Sequence, residues 1–227
     1  MASSILAAQA AEKARIENLK KGKSHEQQSV IDFFCTVGET KGCLSKSKVM
    51  SMDEYIALVK NKVENLNTKA MALNKIGLDI SEIQEIAPIA LASFVYDDDV
   101  MTKVAGGVAV TSQYALTWIF FSKTQIYTYK YIFDTTSDTT WEFTNDFFYT
   151  DITCLSTCRN LREKIDAVPS KGCFKSGESY VKNNYVVDTF EIIVPGTSYK
   201  FSMRDAESYE ASIQAAKAML REKKFDK

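Results

Sequence analysis

The feature that most constrains the fold is an aromatic, β-branched run over residues 116–151, which holds both tryptophans. In residues 125–133 two sets of side chains alternate along the predicted strand: Tyr127, Tyr129, Tyr131 and Phe133 against Ile126, Thr128, Lys130 and Ile132. Strict alternation is typical of a β-strand whose two faces differ. Neither face is fully polar. We therefore expect one face in the core, and the tyrosine face either covered by other elements or used for binding.

The first 92 residues are predicted to be mostly helical. Residues 3–21 are rich in alanine and lysine and end before Gly22, which predicts a solvated helix, with a basic membrane-surface helix as the alternative. Three Ser-x-x-Glu/Gln capping boxes follow, each of which predicts a helix start: Ser24–Gln27, Ser51–Glu54 and Ser81–Gln84.

The clearest predicted helix covers residues 51–77, and Gly77 stands where a C-terminal glycine belongs. Its apolar residues recur at spacings of three and four: Ile56, Val59, Val63, Leu66, Ala70 and Leu73. This pattern favours an amphipathic helix that faces the core. A coiled-coil surface for self-association through helix 51–77 is the alternative.

The remainder is predicted to be an antiparallel sheet closed by one helix. We expect a bent strand over 104–110, strands at 116–121, 125–133, 141–144, 147–155, 184–194 and 199–203, and a short helix over 158–168. A final helix after Asp205 places four residues on one face: Tyr209, Ile213, Ala216 and Leu220. The predicted class is α+β, with a helical region at 1–92 and a β domain with its C-terminal helix at 93–227.

Three stretches resemble the bacterial type of pleckstrin-homology-like domain over residues 93–227. Residues 116–129 resemble its first hairpin, 147–155 resemble its aromatic-x-Asp-Ile segment, and 190–201 with the helix after them resemble its closing hairpin and cap. The resemblance implies a bent antiparallel barrel of about seven strands, capped by the C-terminal amphipathic helix. It also implies an interaction role. The Lys-x-Arg element that holds phosphoinositides in eukaryotic relatives is missing, because the hairpin offers only Lys123 and Lys130.

Composition excludes several classes of protein. The formal charge of −1 argues against a nucleic-acid partner, and no apolar run approaches the roughly 20 residues that span a bilayer. Five cysteines, an odd number, without a recognisable export signal predict a cytoplasmic protein rather than a disulfide framework.

No catalytic constellation is recognisable, so we expect no enzyme, no catalytic residue and no cofactor. The single histidine, His25, lies in a capping-box turn, and no phosphate-loop, nucleophile-elbow or zincin motif occurs. Cys154, Cys158 and Cys173 supply three thiolates, but the spacing of the remaining cysteines does not suit a zinc site, and we predict no metal.

The predicted function is an interaction module that binds a protein or peptide partner, with peripheral binding to anionic membrane lipids as the alternative. A basic set in 157–182 faces an acidic set in 134–151, and such asymmetry can steer a partner. The candidate binding residues are all basic: Lys123, Lys130, Arg159, Arg162, Lys164, Lys171 and Lys175.

Overall fold

The computed structural model of the chain describes residues 2–36, 49–83, 85–169 and 178–225. The α-helices are α1 (Ala2–Lys20), α2 (His25–Cys35), α3 (Met52–Glu64), α4 (Thr68–Ile76) and α5 (Ala206–Phe225). The strands are β1 (Ile89–Phe94), β2 (Thr102–Ala105), β3 (Val108–Thr111), β4 (Gln113–Phe121), β5 (Gln125–Asp134), β6 (Thr140–Phe148), β7 (Cys154–Pro169), β8 (Glu178–Val194) and β9 (Thr197–Met203). This is the predicted α+β class.

The aromatic run forms the middle of a four-stranded antiparallel sheet in the order β1-β4-β5-β6. Trp118 of β4 lies opposite Tyr129 of β5, and Ile119 lies opposite Thr128. Because side chains alternate along a strand, these pairs belong to opposite faces of the sheet. The two faces of this aromatic run therefore contribute side chains to two different hydrophobic cores.

Helices α2, α3 and α4 cover the tyrosine face. Phe33, Tyr55 and Ala72 of these helices share a buried cluster with Tyr129 and Phe133 of the sheet. The indole Nε1 of Trp118 also donates to the Thr68 hydroxyl at 3.0 Å. The tyrosine face is thus covered rather than free, and the apolar stripe of the predicted helix 51–77 packs against it.

The opposite face of the sheet packs against a second sheet, β7-β8-β9, and against α5. Ile119 and Ile126 of the first sheet join Phe190 and Phe201 of the second in one cluster. Ile213, Ala216 and Leu220 of α5 are buried there, and Tyr209 is half-buried against them, as the spacing predicts.

Local capping signals are confirmed where the structure describes them. Ser24 Oγ accepts from Gln27 N at 3.2 Å, and Gln27 Oε1 accepts from Ser24 N at 2.9 Å. Ser51 and Glu54 make the same reciprocal pair. The third box ends at residue 84, outside the described residues, and a short 3-10 turn occupies Ile80–Glu82.

Residues 51–77 form two helices rather than the one predicted. Helix α3 ends at Glu64, and α4 begins at Thr68 after Asn67, whose Oδ1 accepts from Ala70 N at 3.3 Å. Asparagine side chains compete with helical backbone hydrogen bonds, which favours this restart. Gly77 then ends α4 with a positive φ of 76°, as predicted.

Two predictions in the β region are wrong. Residues 104–110 are a hairpin of β2 and β3, not one bent strand. Gly106 and Gly107 have φ values of 57° and 79°, which a tight turn of this type requires. Residues 158–168 belong to the long strand β7, not to a helix, because every residue of β7 pairs with β8.

The predicted strand 147–155 is also interrupted. Strand β6 ends at Phe148 and β7 begins at Cys154, so the chain passes between the two sheets over residues 149–153. The predicted boundary between residues 92 and 93 remains a prediction, and strand β1 runs across it.

Candidate interaction surface

The structure distributes the predicted site residues among separate elements. Lys123 lies in the β4–β5 turn and Lys130 in β5, whereas Arg159, Arg162 and Lys164 lie on β7. The remaining two, Lys171 and Lys175, lie outside the described residues. Arg159 and Arg162 point to opposite faces of β7, because they are an odd number of positions apart along the strand.

Arg159 is already held by a carboxylate. Its Nε and Nη2 donate to the two oxygens of Asp188 at 2.8 and 3.1 Å, in a bidentate pair across β7 and β8. This hydrogen-bonded pair raises the pKa of Arg159 above its ordinary value. A phosphate would therefore compete with Asp188 for this guanidinium.

Arg162 and Lys164 are also engaged by the protein. Arg162 Nη1 donates to the carbonyl of Tyr96, and Lys164 Nζ donates to the carbonyl of Thr102. Lys164 further pairs with Asp166 at 3.2 Å. These contacts attach β7 to the β1–β2 loop and to the start of β2, so the two cations stabilise the fold at this point.

The other two lysines have different surroundings. Lys123 is exposed and lines a surface hollow together with Glu82 and Glu85, which makes its environment partly acidic. Lys130 is half-buried, and burial lowers its pKa, while the nearby Asp97 acts in the opposite direction. Among the residues that the structure describes, neither lysine stands in a cluster of cationic donors of the kind that binds phosphate tightly.

The described cysteines and histidine do not form a metal site. No group of three His, Cys, Asp or Glu side chains within the described ranges is placed to hold a metal ion. Cys35 lies 4.0 Å from an Arg15 nitrogen, and Cys158 Sγ donates to Asn160 Oδ1 at 3.4 Å. Burial raises the pKa of the Cys35 thiol, which disfavours the reactive thiolate.

A different surface stands out on the long hairpin of β7 and β8. Strand β9 pairs with β8 only over residues 188–194, so the hairpin beyond Asp188 is a ribbon of two strands. We refer to residues 159–169 and 178–187 as the ribbon. Its two faces have different surroundings.

One face of the ribbon is covered in part by the β2–β3 hairpin. Tyr185 and Val187 form a small core with Val104 and Ala109, and the Tyr185 ring lies 5.8 Å from that of Tyr96. Val187 is only 3% exposed. The ribbon is therefore anchored on this side.

The other side, which we call the ribbon face, continues the inner face of the second sheet past the N-terminal end of α5. Its large apolar side chains are strongly exposed: Leu161 71%, Ile165 54%, Tyr180 68% and Val186 49%. Glu163 and Lys182 lie among them and form an ion pair of 3.2 Å. Clustered exposed apolar residues of this kind mark interaction surfaces in soluble proteins.

Sequence reasoning missed these apolar residues and selected the charged ones beside them. Leu161 and Ile165 are four residues apart, which agrees with a helix as well as with every second position of a strand. The signal that identifies them is the pairing partner: Leu161 lies opposite Val186, and Ile165 lies opposite Lys182.

No helix among the described residues is long and apolar enough to cross a membrane. No protein-family model, curated protein or solved structure matches this chain.

Proposed function

We propose that this protein is a non-catalytic interaction module that binds a protein or peptide partner through the ribbon face. The observation that carries the proposal is the exposure of Leu161, Ile165 and Val186 on one side of a ribbon whose other side packs in part against the β2–β3 hairpin. Transfer of such side chains from water into an interface is favourable by about 25 cal/mol per Å² of apolar area. The proposal assigns no catalytic residue and no cofactor.

We further propose that the β region is a pleckstrin-homology-like domain. Strands β1, β4, β5 and β6 form one antiparallel sheet, β7, β8 and β9 form the other, and α5 follows them. Counted from the β4–β5 hairpin, six strands precede the closing helix, one fewer than the seven that the resemblance implies. The β4–β5 hairpin, which resembles the family's first hairpin, lies in the middle of its sheet because β1 pairs with β4.

Lipid binding stays an alternative prediction that the described contacts do not favour. Arg159, Arg162 and Lys164 each already donate to acceptors of the protein. Flotation of the protein with vesicles that contain or lack anionic lipid measures this alternative directly. Binding that depends on anionic lipid would support it over a protein partner.

Site-specific photocrosslinking tests the proposed function. A photoreactive amino acid at Ile165 in the full chain is expected to give discrete crosslinked protein products in cells. The matched control is the same amino acid at Phe148, which is similarly exposed at 52% but lies at the end of β6. Products from position 165 that are absent from position 148, and that Leu161→Ser abolishes, support the proposal. No product from positions 161, 165 and 186 would overturn it.

A further inference from the structure

Strand β6 is an unpaired edge of the four-stranded sheet. It pairs with β5 on one side, and no other described strand lies along its opposite side. The other outer strand of this sheet, β1, lies beside β9 of the second sheet. An unpaired strand presents backbone N–H and C=O groups that can pair with an added strand. We call the outer side of residues 140–146 the β6 edge.

The hydrogen bonds between β5 and β6 show which backbone groups point to this edge. Asp134 N donates to Thr139 O at 3.1 Å, and Tyr149 N donates to Thr124 O at 3.2 Å. Because the register between them is continuous, the odd-numbered residues of β6 direct their N–H and C=O groups to β5. The even-numbered residues direct theirs outward: Thr140, Glu142, Thr144 and Asp146.

The next even-numbered residue marks the end of the β6 edge. The carbonyl of Phe148 is occupied, because it accepts from Asp151 N at 2.9 Å. No residue in the described part of the chain bonds to the backbone of residues 140, 142, 144 or 146 on their outer side. A partner strand therefore has both donors and acceptors available over these residues.

The side chains along the β6 edge are acidic on one face and largely apolar on the other. The even-numbered side chains lie on the face of the helices, where Glu142 forms an ion pair of 3.1 Å with Lys75 of α4. Asp146 lies on the same face, is exposed and makes no ion pair with a described residue. On the opposite face Trp141 is half-buried and Phe143 is 49% exposed.

We propose that the β6 edge binds an extended segment of a partner protein in which basic and apolar residues alternate. The segment adds a strand to the sheet and bonds to the outward backbone groups. Its basic side chains lie beside Glu142 and Asp146, and its apolar ones lie beside Trp141 and Phe143. This second site is separate from the ribbon face and does not depend on the proposed function.

The charge of the strand favours this occupant over a second copy of the chain. Residues 131–158 contain five acidic residues and no Lys, Arg or His. Two β6 strands placed edge to edge would both contribute carboxylates and no base, and like charges destabilise strand pairing. Charged side chains on an edge strand prevent such self-association. A basic segment forms favourable contacts with the same carboxylates.

Binding of a synthetic peptide to the full chain tests the proposal. The probe is the terminally blocked peptide Lys-Val-Lys-Val-Lys-Val-Lys, titrated into the isotope-labelled protein and followed by NMR. We expect a dissociation constant of about 1 mM or below. The controls are a peptide with Glu in place of every Lys and a peptide with the same residues in two blocks. Binding of the alternating basic peptide that is no tighter than that of these controls overturns the proposal.

Backbone N-methylation separates strand addition from attraction between charges alone. Residues directly opposite each other in a hydrogen-bonded pair share a face, so the N–H groups of the lysines point to β6 and those of the valines point away. Methylation of the lysine backbone nitrogens should therefore abolish binding, whereas methylation of the valine backbone nitrogens should leave it unchanged. Equal effects, or the reverse order, would contradict the proposed pairing.

Two protein variants test the position of the peptide. Thr144→Pro should abolish binding and retain the fold, because proline is tolerated on an edge strand where the missing N–H would face solvent. Asp146→Lys should weaken binding about fivefold or more. Glu222→Lys is the matched control, because it makes the same change in net charge at an exposed residue of α5. Circular dichroism melting of each variant measures whether the fold is retained.

Amide hydrogen exchange measures the new hydrogen bonds directly. A saturating amount of the basic peptide should slow exchange at Glu142, Thr144 and Asp146, and it should leave residues 141, 143 and 145 unchanged because they already bond to β5. Unchanged exchange at the even-numbered residues overturns the site. Leu161→Ser, on the ribbon face, should leave peptide binding intact. If it abolishes binding, the peptide lies on the ribbon, which overturns this site and leaves the proposed function standing.

Discussion

The phenol of Tyr55 in helix α3 donates to the backbone carbonyl of Thr111 in strand β3, with an oxygen-to-oxygen distance of 2.6 Å. Its oxygen also lies 3.0 Å from the Thr135 hydroxyl, which donates to Ser112 O at 2.8 Å. The ring stacks on Phe33 with centroids 4.8 Å apart. One buried side chain thus connects the helical layer, the β2–β3 hairpin and the end of β5.

We expect Tyr55→Phe to lower the free energy of unfolding by about 1–3 kcal/mol, because the buried Thr111 carbonyl loses its side-chain donor while the ring packing remains. Urea denaturation followed by circular dichroism measures the change. Stability equal to that of the unsubstituted protein would show that the hydrogen bond contributes nothing.

Tyr129→Phe is the matched substitution with the opposite expectation. The Tyr129 hydroxyl is buried against α2–α4 and has no hydrogen-bond partner among the described residues. Its removal relieves an unsatisfied polar atom, so the free energy of unfolding should stay constant or rise by up to about 1 kcal/mol. A loss of more than about 1 kcal/mol in the same denaturation experiment would contradict this.

Alkaline pH should destabilise the protein through its buried tyrosines. Burial raises the pKa of Tyr96 and of Tyr129 to about 12, and it raises the pKa values of Tyr55 and Tyr149 as well. The unfolded chain releases these protons near pH 10 while the folded chain retains them. Their contribution to stability is therefore complete below about pH 10 and is lost as the pH rises towards the folded-state values, by about 1.4 kcal/mol per pH unit for each tyrosine.

Urea denaturation at several values between about pH 8 and about pH 11.5 measures this slope. In the Tyr129→Phe variant, the loss of unfolding free energy per pH unit should be smaller by the contribution of one tyrosine. An unchanged slope in that variant would show that Tyr129 ionises in the folded protein as it does in the unfolded chain.

Two neighbouring valines test the difference between the faces of the ribbon. Val187 is buried against Val104 and Ala109, whereas Val186 on the ribbon face is half exposed. Val187→Ala should lower the free energy of unfolding by about 1–3 kcal/mol, because it leaves a cavity in a small core. Val186→Ala should change it by less than about 0.5 kcal/mol. Thermal denaturation compares them, and equal losses would contradict the assignment of the faces.

The helical region shows how much of the fold local patterns can predict. The capping boxes at Ser24 and Ser51 and the glycine at 77 were all predicted, since each acts through backbone groups within four residues. The break between α3 and α4 was missed, because the apolar spacing continues through it. The asparagine that restarts the helix, Asn67, gives only a weak signal beside that stripe.

The candidate site depends on contacts that local patterns do not predict. The sequence predicts charged residues of β7 as binding residues, but three of them make contacts within the protein: Arg159, Arg162 and Lys164. The acceptors Tyr96 and Thr102 are more than 60 residues away in the chain, so no local pattern could reveal them.

The sequence by itself determined the starts of α2 and α3, the glycine end of α4 and the alternation of the central strands, because each depends on side chains a few positions apart. Tertiary structure decided which faces are covered. Helices α2–α4 pack against the tyrosine face, and residues 158–168 form a strand because they pair with β8. Leu161 and Ile165 remain exposed because they lie past the end of α5. Whether a face of a strand is buried depends on which elements, distant in the chain, pack against it. Local sequence patterns do not specify these long-range contacts.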